Sequence, residues 1–299
     1  MKVLIAGCGY VGIPLGSELV GMGHDVFACN RTSALQAEIE KAGIHFLSAD
    51  VCDRSSLEKL PAPFDWVVDM VSAGGGGPAE YRKAYLEGAR FLIDWLGTTP
   101  PKKFIFTGST AVYGQDDGTQ VKEESPTNPA SETGCILVET ERVLMEAFQT
   151  LKFPSIVLRV AGIYGPDRGY GLRQFLKNQV VIEGNGDRCV NMIHRDDLVG
   201  AIIAALQSGR AGQVYNVVDD EPVSQLHLLR WLSDATGKPM PPFATATQAV
   251  TRSRSSTHKR VLNRKLKMEL GVTLKHPTFR QGLTAEIQRL EQIGAVDLA

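Results

Sequence analysis

An α/β fold, with a parallel sheet covered by helices on both faces, is what this sequence predicts. Three observations lead there. Short runs that are apolar throughout recur along the chain, as expected of strands buried on both faces. Helical patterns lie between most of them. The first run leads directly into a glycine-rich turn, GCGYVG at residues 7–12, which opens a helical pattern.

In chain order, the apolar runs at 3–6, 26–29, 44–48, 66–71, 104–107, 156–160 and 214–218 read as strands. Between the fourth and fifth, PAEYRKAYLEGARFLIDWLG sets Tyr85, Ala89, Leu92 and Leu96 on one helical face. The fifth runs into a Ser-rich turn, FIFTGSTAVYG, and residues 128–141, NPASETGCILVETE, then begin another helix. The clearest break in composition is GKPMPPFATATQAVTRSRSS at 237–256, where Pro239, Pro241 and Pro242 oppose regular structure. It reads as a long loop within a C-terminal lobe and a candidate cover for a pocket.

A chain of 299 residues can bury one large core, or one core and a smaller lobe. Its 43% hydrophobic and 22% charged content suits a soluble globular protein. A net charge of −1 gives no general reason to bind nucleic acid or an anionic membrane. Five scattered cysteines without a CxxC pair point to neither a disulfide framework nor a zinc site, and fit a reducing cytoplasm. The opening MKVLIAGCG has too short an apolar run for a signal peptide, and no run is long enough to span a membrane. With no H-E-x-x-H or similar cluster, no metal site is expected, and without G-x-S-x-G there is no nucleophile elbow.

The chemistry begins at G-x-G-x-x-G. Directly after a strand and opening a helix, Gly7, Gly9 and Gly12 would allow a tight turn and close approach of a pyrophosphate to the positive helix end. Tyr10 and Val11 belong to the same loop. An NAD site usually ends the second strand with Asp or Glu on the ribose 2′-hydroxyl. Here that strand ends CNRTS. Asn30 is uncharged, Arg31 can pair with a 2′-phosphate, and Thr32 and Ser33 add hydroxyls. This favours NADP, with NAD as the alternative.

The landmarks GCGYVG, SADVCD, FIFTGSTAVYG, LRVAGIYGP, NMIHRDDLVGAI, GQVYNVVDDEPVS and KRVLNRKLKMELG occur in family order. On them the chain resembles the extended short-chain dehydrogenase/reductases of the NAD-dependent epimerase/dehydratase type, over nearly its whole length. The resemblance implies a Rossmann-type doubly wound sheet (1–165 with 193–218) and a smaller substrate lobe (166–192 with 219–299), with a pocket between them. It implies that Asp50 and Val51 contact the adenine, Ser72 and Ala73 flank the cofactor ribose, and Val160 and Ile163 lie against the nicotinamide. Ser109 would be the serine that holds the reacting oxygen. Ala6, where the family usually has glycine, marks an atypical member. Family members are often dimers, so a homodimer is expected on resemblance alone.

The family's tyrosine and lysine, four apart on one helix, fall here on Thr133 and Leu137. Threonine is a far weaker acid and leucine carries no charge, so the acid–base pair is missing. The same departure marks a YeeZ-type bacterial subgroup. Tyr113, close to Ser109 in sequence, is a candidate stand-in, although a packed aromatic is its commoner role. Tyr81 and Tyr85 share a helix face; Tyr164 reads as structural, His194 as a turn-fixing residue, and Cys135 as a small buried hydrophobe. The basic run RSRSSTHKRVLNRKLK reads as solvating charge, with one or two arginines as candidate holders of an anionic substrate. Two readings follow: an NADP-dependent oxidoreductase or epimerase acting on a small molecule with its proton donor relocated, or a non-catalytic NADP-binding sensor or interaction protein.

Overall fold

The protein is described by a computed structural model, and the described residues are 1–244 and 257–294. Seven strands form one sheet: β1 (Lys2–Ala6), β2 (Asp25–Asn30), β3 (His45–Ser48), β4 (Trp66–Asp69), β5 (Lys103–Ser109), β6 (Ser155–Val160) and β7 (Val214–Val217). Their spatial order is β7-β6-β5-β4-β1-β2-β3, and every neighbouring pair is parallel. The order reverses between β1 and β4, the place where open α/β sheets bind ligands beyond their strand ends.

Burial on both faces explains the apolar runs. Along β1, Val3 and Ile5 enter one core while Leu4 and Ala6 enter the other. Helices α1 (Gly12–Gly21) and α2 (Gln36–Lys41) cover the first face through Leu15, Leu19 and Ile39. On the second lies α3, made of Pro78–Tyr81, a π-helical turn at Arg82–Glu87, and Gly88–Leu96. Beside it runs α4 (Glu132–Leu151), whose N-cap Ser131 side chain accepts from the Gly134 N–H.

A further hydrophobic cluster gathers Tyr164, Leu172, Val223, Leu229, Phe279 and Leu283. It is carried largely by α5 (Tyr170–Leu176), α7 (Gln225–Thr236) and α9 (Phe279–Gln292). Between α5 and α7, α6 (Arg195–Ser208) returns the chain to the first sheet face through Leu198 and Ile202. Helix α8 (Arg264–Leu270) also packs there, through Leu266 and Leu270, and so joins the sheet body and not the smaller cluster. The expected loop at 237–256 begins as irregular chain to residue 244, with Phe243 bridging Ile182. Its remainder, with Arg252 and Arg254, lies outside the described residues.

Candidate functional site

At the carboxyl end of β1 the chain must turn sharply under β4. Gly7 adopts φ +80°, and a Cβ there would stand 2.8 Å from the Val71 backbone. A Cβ on Gly9 would meet no protein atom within 4 Å, because Gly9 faces open space. Gly12 packs closely on Cys8 and Ile5, so a Cβ would lie 3.1 Å from Cys8 Sγ. Three glycines thus serve three purposes: turn, open approach and helix–strand packing. Helix α1 has no side-chain cap on its first turn and no acidic residue in it, leaving its positive end to an anion.

This loop walls a cavity of about 490 Å³. Of the residues expected at a cofactor, Gly7, Gly9, Tyr10, Val11, Gly12, Ser72, Ala73, Val160 and Ile163 line it, and Ser109 joins them. Asn30, Arg31, Thr32, Asp50 and Val51 lie away from this lining, at the neighbouring ends of β2 and β3. Asn30 is engaged with the loop itself: its Oδ1 accepts from the Cys8 N–H at 2.7 Å, and its Nδ2 donates to the Cys8 carbonyl at 2.7 Å. It buttresses the glycine loop. Arg31 and Thr32 are exposed. The Asp50 carboxylate accepts from the Cys52 N–H, and Val51 is buried. Arg168, unnoticed in the sequence, also lines the cavity, its guanidinium 5.1 Å from the centre of the Tyr10 ring. Burial pushes the Tyr10 hydroxyl up to about 12.

A second cavity, of about 660 Å³, adjoins the first: Ser109 and Ile163 line both. Its Ser109 side begins the turn Thr110–Val112, where Ser109 Oγ accepts from the Ala111 N–H at 3.1 Å. Leu172, Val190, Met192, Leu229 and Leu283 give it apolar walls.

Tyr113, the candidate stand-in acid, lies in the core and not at a cavity. It is 0% exposed, lines neither cavity, and its hydroxyl accepts from Arg159 Nη1 and donates to Asn216 Oδ1, both at 2.8 Å. Arg159 in turn holds Glu141 in a buried ion pair at 2.7 Å. This polar network supports β6 from beneath; it is not at the surface of the site. Thr133 and Leu137 line neither cavity, and Leu137 packs with Val112 and Tyr113 in a small apolar cluster. Tyr81 and Tyr85 do reach the smaller cavity, their rings 5.1 Å apart, where the π-helical turn of α3 begins. Burial raises the Tyr85 hydroxyl to about 12.

His194 caps α6, its Nδ1 accepting from the Asp196 N–H. Burial first, then the neighbouring His276, lowers it to about 4. His194, Asp197 and His276 bring potential ligand atoms within 4.8 Å of one another. Both Asp197 oxygens already accept backbone N–H groups from Lys275 and His276, so the cluster ties that segment to α6. Tyr164 lines the larger cavity while packing in the smaller core. Cys135, expected to be buried, is exposed on the first turn of α4.

The largest departure from the sequence reading is Lys259. Its basic sequence run reads as solvating charge, yet Lys259 is 4% exposed and lines the larger cavity. Its Nζ donates to the Tyr113 carbonyl at 2.9 Å and to Thr257 Oγ1 at 2.7 Å. Burial alone lowers it to about 8.

Sequence comparison bears on the same stretch that builds the glycine loop and the sheet. Residues 3–218 fit the family model described as "NAD dependent epimerase/dehydratase family". The chain belongs to that family. Protein YeeZ of Escherichia coli strain K12 is 33% identical over 222 residues, 72% of this chain and 77% of that protein. UDP-glucose 4-epimerase of Corynebacterium glutamicum is 25% identical over 309 residues, 94% of this chain and 93% of that enzyme. Among solved structures, a functionally unknown conserved protein from Silicibacter pomeroyi superposes with TM-score 0.79 at 27% identity, covering 96% of this chain and 98% of that one. UDP-glucuronic acid 4-epimerase from Bacillus cereus, in complex with UDP-glucuronic acid and NAD, gives TM-score 0.82 at 21% identity, covering 98% and 100%. This last likeness is one of fold. Within the family the chain is atypical at Thr133 and Leu137. No helix among the described residues is long and apolar enough to cross a membrane.

Proposed function

We propose that this chain is an NADP-dependent oxidoreductase or epimerase-like enzyme, with the dinucleotide in the smaller cavity and a small-molecule substrate in the larger. The observation that carries this reading is that the two cavities meet at Ser109 and Ile163. A bound nicotinamide dinucleotide supplies hydride chemistry. The chain's own residues do the rest. The glycine loop and α1 hold the pyrophosphate, assisted by Arg168; Arg31 takes the 2′-phosphate; Asp50 and Val51 face the adenine; and Ser109 donates to the reacting oxygen. With Thr133 and Leu137 away from both cavities, the proton comes from another group on the cavity walls or from the substrate. A homodimer belongs to this reading on family resemblance, and cytoplasmic residence on the unpaired cysteines.

One observation favours a second reading, a non-catalytic dinucleotide binder: the wall that should carry the acid is packed with Leu137. A relative with the name UDP-glucose 4-epimerase supports the enzyme reading. Titration with NADPH and NADH tests the common step. NADPH should bind more tightly, and Arg31→Ala should remove most of the difference, about 1.5–3 kcal/mol or roughly tenfold and more in affinity. Equal affinities for the two in the unaltered protein would remove the NADP assignment. A broad screen with carbonyl substrates then separates the readings: tight NADPH binding with no turnover leaves the binder.

A further inference from the structure

Lys259 is buried, and it lines the larger cavity without a partner carboxylate among the described residues. Burying an ammonium without a counter-charge is costly, so such a group is retained where a ligand repays it. Among the described residues no ion pair forms to Lys259, burial is the one cause lowering its pKa, and residues 245–256 contain no Asp or Glu. Two of its three donor hydrogens go to Tyr113 O and Thr257 Oγ1, leaving one without a partner among the described residues. The other charges on the cavity wall, Arg188 and Glu183, pair with each other at 3.6 Å. Leu172, Val190, Met192, Leu229, Leu232 and Leu283 give the wall a broad apolar stretch, beside uncharged polar side chains such as Gln174, Gln179, Asn191 and Gln225.

We propose that the larger cavity takes a small organic monoanion, a carboxylate on an apolar body, and that Lys259 is the residue that binds its carboxylate. The inference rests on the reading above only in naming this cavity as the substrate site. A nucleoside diphosphate suits the cavity less well, since among the described residues its two or more charges would face one net cation, from Lys259, Arg188 and Glu183, and a broad apolar stretch of wall. The hydrogen bond from Lys259 to Tyr113 O ties the ammonium to the far end of the turn that Ser109 begins. An anion held there is held in the same cavity as the Ser109 hydroxyl.

The test is calorimetric titration of the full chain, with and without NADPH, using 3-phenylpropionate, its neutral amide and UDP. The wild-type protein should bind the carboxylate and not UDP. Lys259→Met should weaken the carboxylate about tenfold or more while leaving the amide unchanged, and Lys259→Arg should retain much of the affinity. Melting curves separate a binding lysine from a strut. Lys259→Met should melt at or above the wild type, because an unpaired buried charge has been removed. Unchanged carboxylate affinity in Lys259→Met, tighter binding of UDP, or no carboxylate binding by the wild type each overturns the proposal. NADPH affinity is read separately in every variant. Loss of NADPH binding by the wild type, with Lys259-dependent carboxylate binding retained, overturns the dinucleotide reading and leaves this one standing.

Discussion

Asp69 closes β4 with its side chain 2% exposed, one Oδ1 accepting from the Val71 N–H at 3.2 Å. Burial raises its carboxyl from 3.8 to about 7, against the smaller opposing effect of that hydrogen bond. The folded state therefore binds a proton that the unfolded chain releases near pH 4. Stability is fully present below that value and is lost as pH rises towards 7. Asp69→Asn keeps the acceptor and removes the titration. Urea unfolding at about pH 4.5 and about pH 7.5 should show the wild type losing on the order of 2–4 kcal/mol relative to the variant across that window. Parallel behaviour of the two proteins would show that the carboxyl stays ionised. The Glu141–Arg159 pair gives a second residue-level outcome. Both side chains are 8% exposed, and Arg159 also donates to Tyr113 and the Glu123 carbonyl. Glu141→Ala leaves a buried guanidinium uncompensated and should cost about 3–5 kcal/mol in the same assay, and a loss under about 1 kcal/mol would contradict that accounting.

The glycine loop makes its prediction at the scale of an element. Gly9→Val should abolish dinucleotide binding with little change in melting, because a side chain there meets no protein atom and enters the cavity. Gly7→Ala should instead destabilise the fold, since it combines φ +80° with a 2.8 Å approach to Val71 backbone atoms. If Gly9→Val binds NADPH as before, the loop is only a turn. Elements of this kind were legible because their signals are local. All seven sheet strands coincide with apolar runs, the glycine spacing marks the first turn, and Ser131 marks the start of α4. Lys259 was not legible. Its burial depends on the adjoining strand Arg260–Val261 pairing with Gln120–Val121, which lie some 140 residues away, while its sequence neighbours are solvated charges. The two bonds of Asn30 to Cys8 were hidden for a similar reason: they join the end of β2 to a loop 22 residues earlier, and no local pattern marks them. Tyr113 packs in the core, the commoner role for such a tyrosine, because the chain turns after Ser109 and carries its ring inward.

At the scale of the whole molecule, the sheet body and the smaller cluster are separate apolar assemblies, and the two cavities draw on them unequally. The smaller cavity is walled by loops following β1, β4, β5 and β6, all rooted in the sheet, whereas Leu172, Leu229 and Leu283 of the larger cavity belong to the smaller cluster. We therefore keep the expected division into a sheet body and a substrate lobe as a proposal, moving residues 264–274 to the body because Leu266, Leu270, Val272 and Leu274 pack in its core. A ligand that binds only the native state stabilises it by about 2.7 kcal/mol at a hundredfold excess over Kd. If the division holds, NADPH alone should slow amide exchange in the loops around Gly9, Ser72 and Ser109 and in the strands behind them, leaving α7 and α9 nearly unchanged. Adding 3-phenylpropionate should then extend protection to α7 and α9, around Leu229 and Leu283. Exchange is the suitable measurement because it resolves opening element by element, where a melting temperature reports only the sum. Equal protection of α7 and α9 by NADPH alone would mean that the two assemblies open as one cooperative unit, and the division would fail.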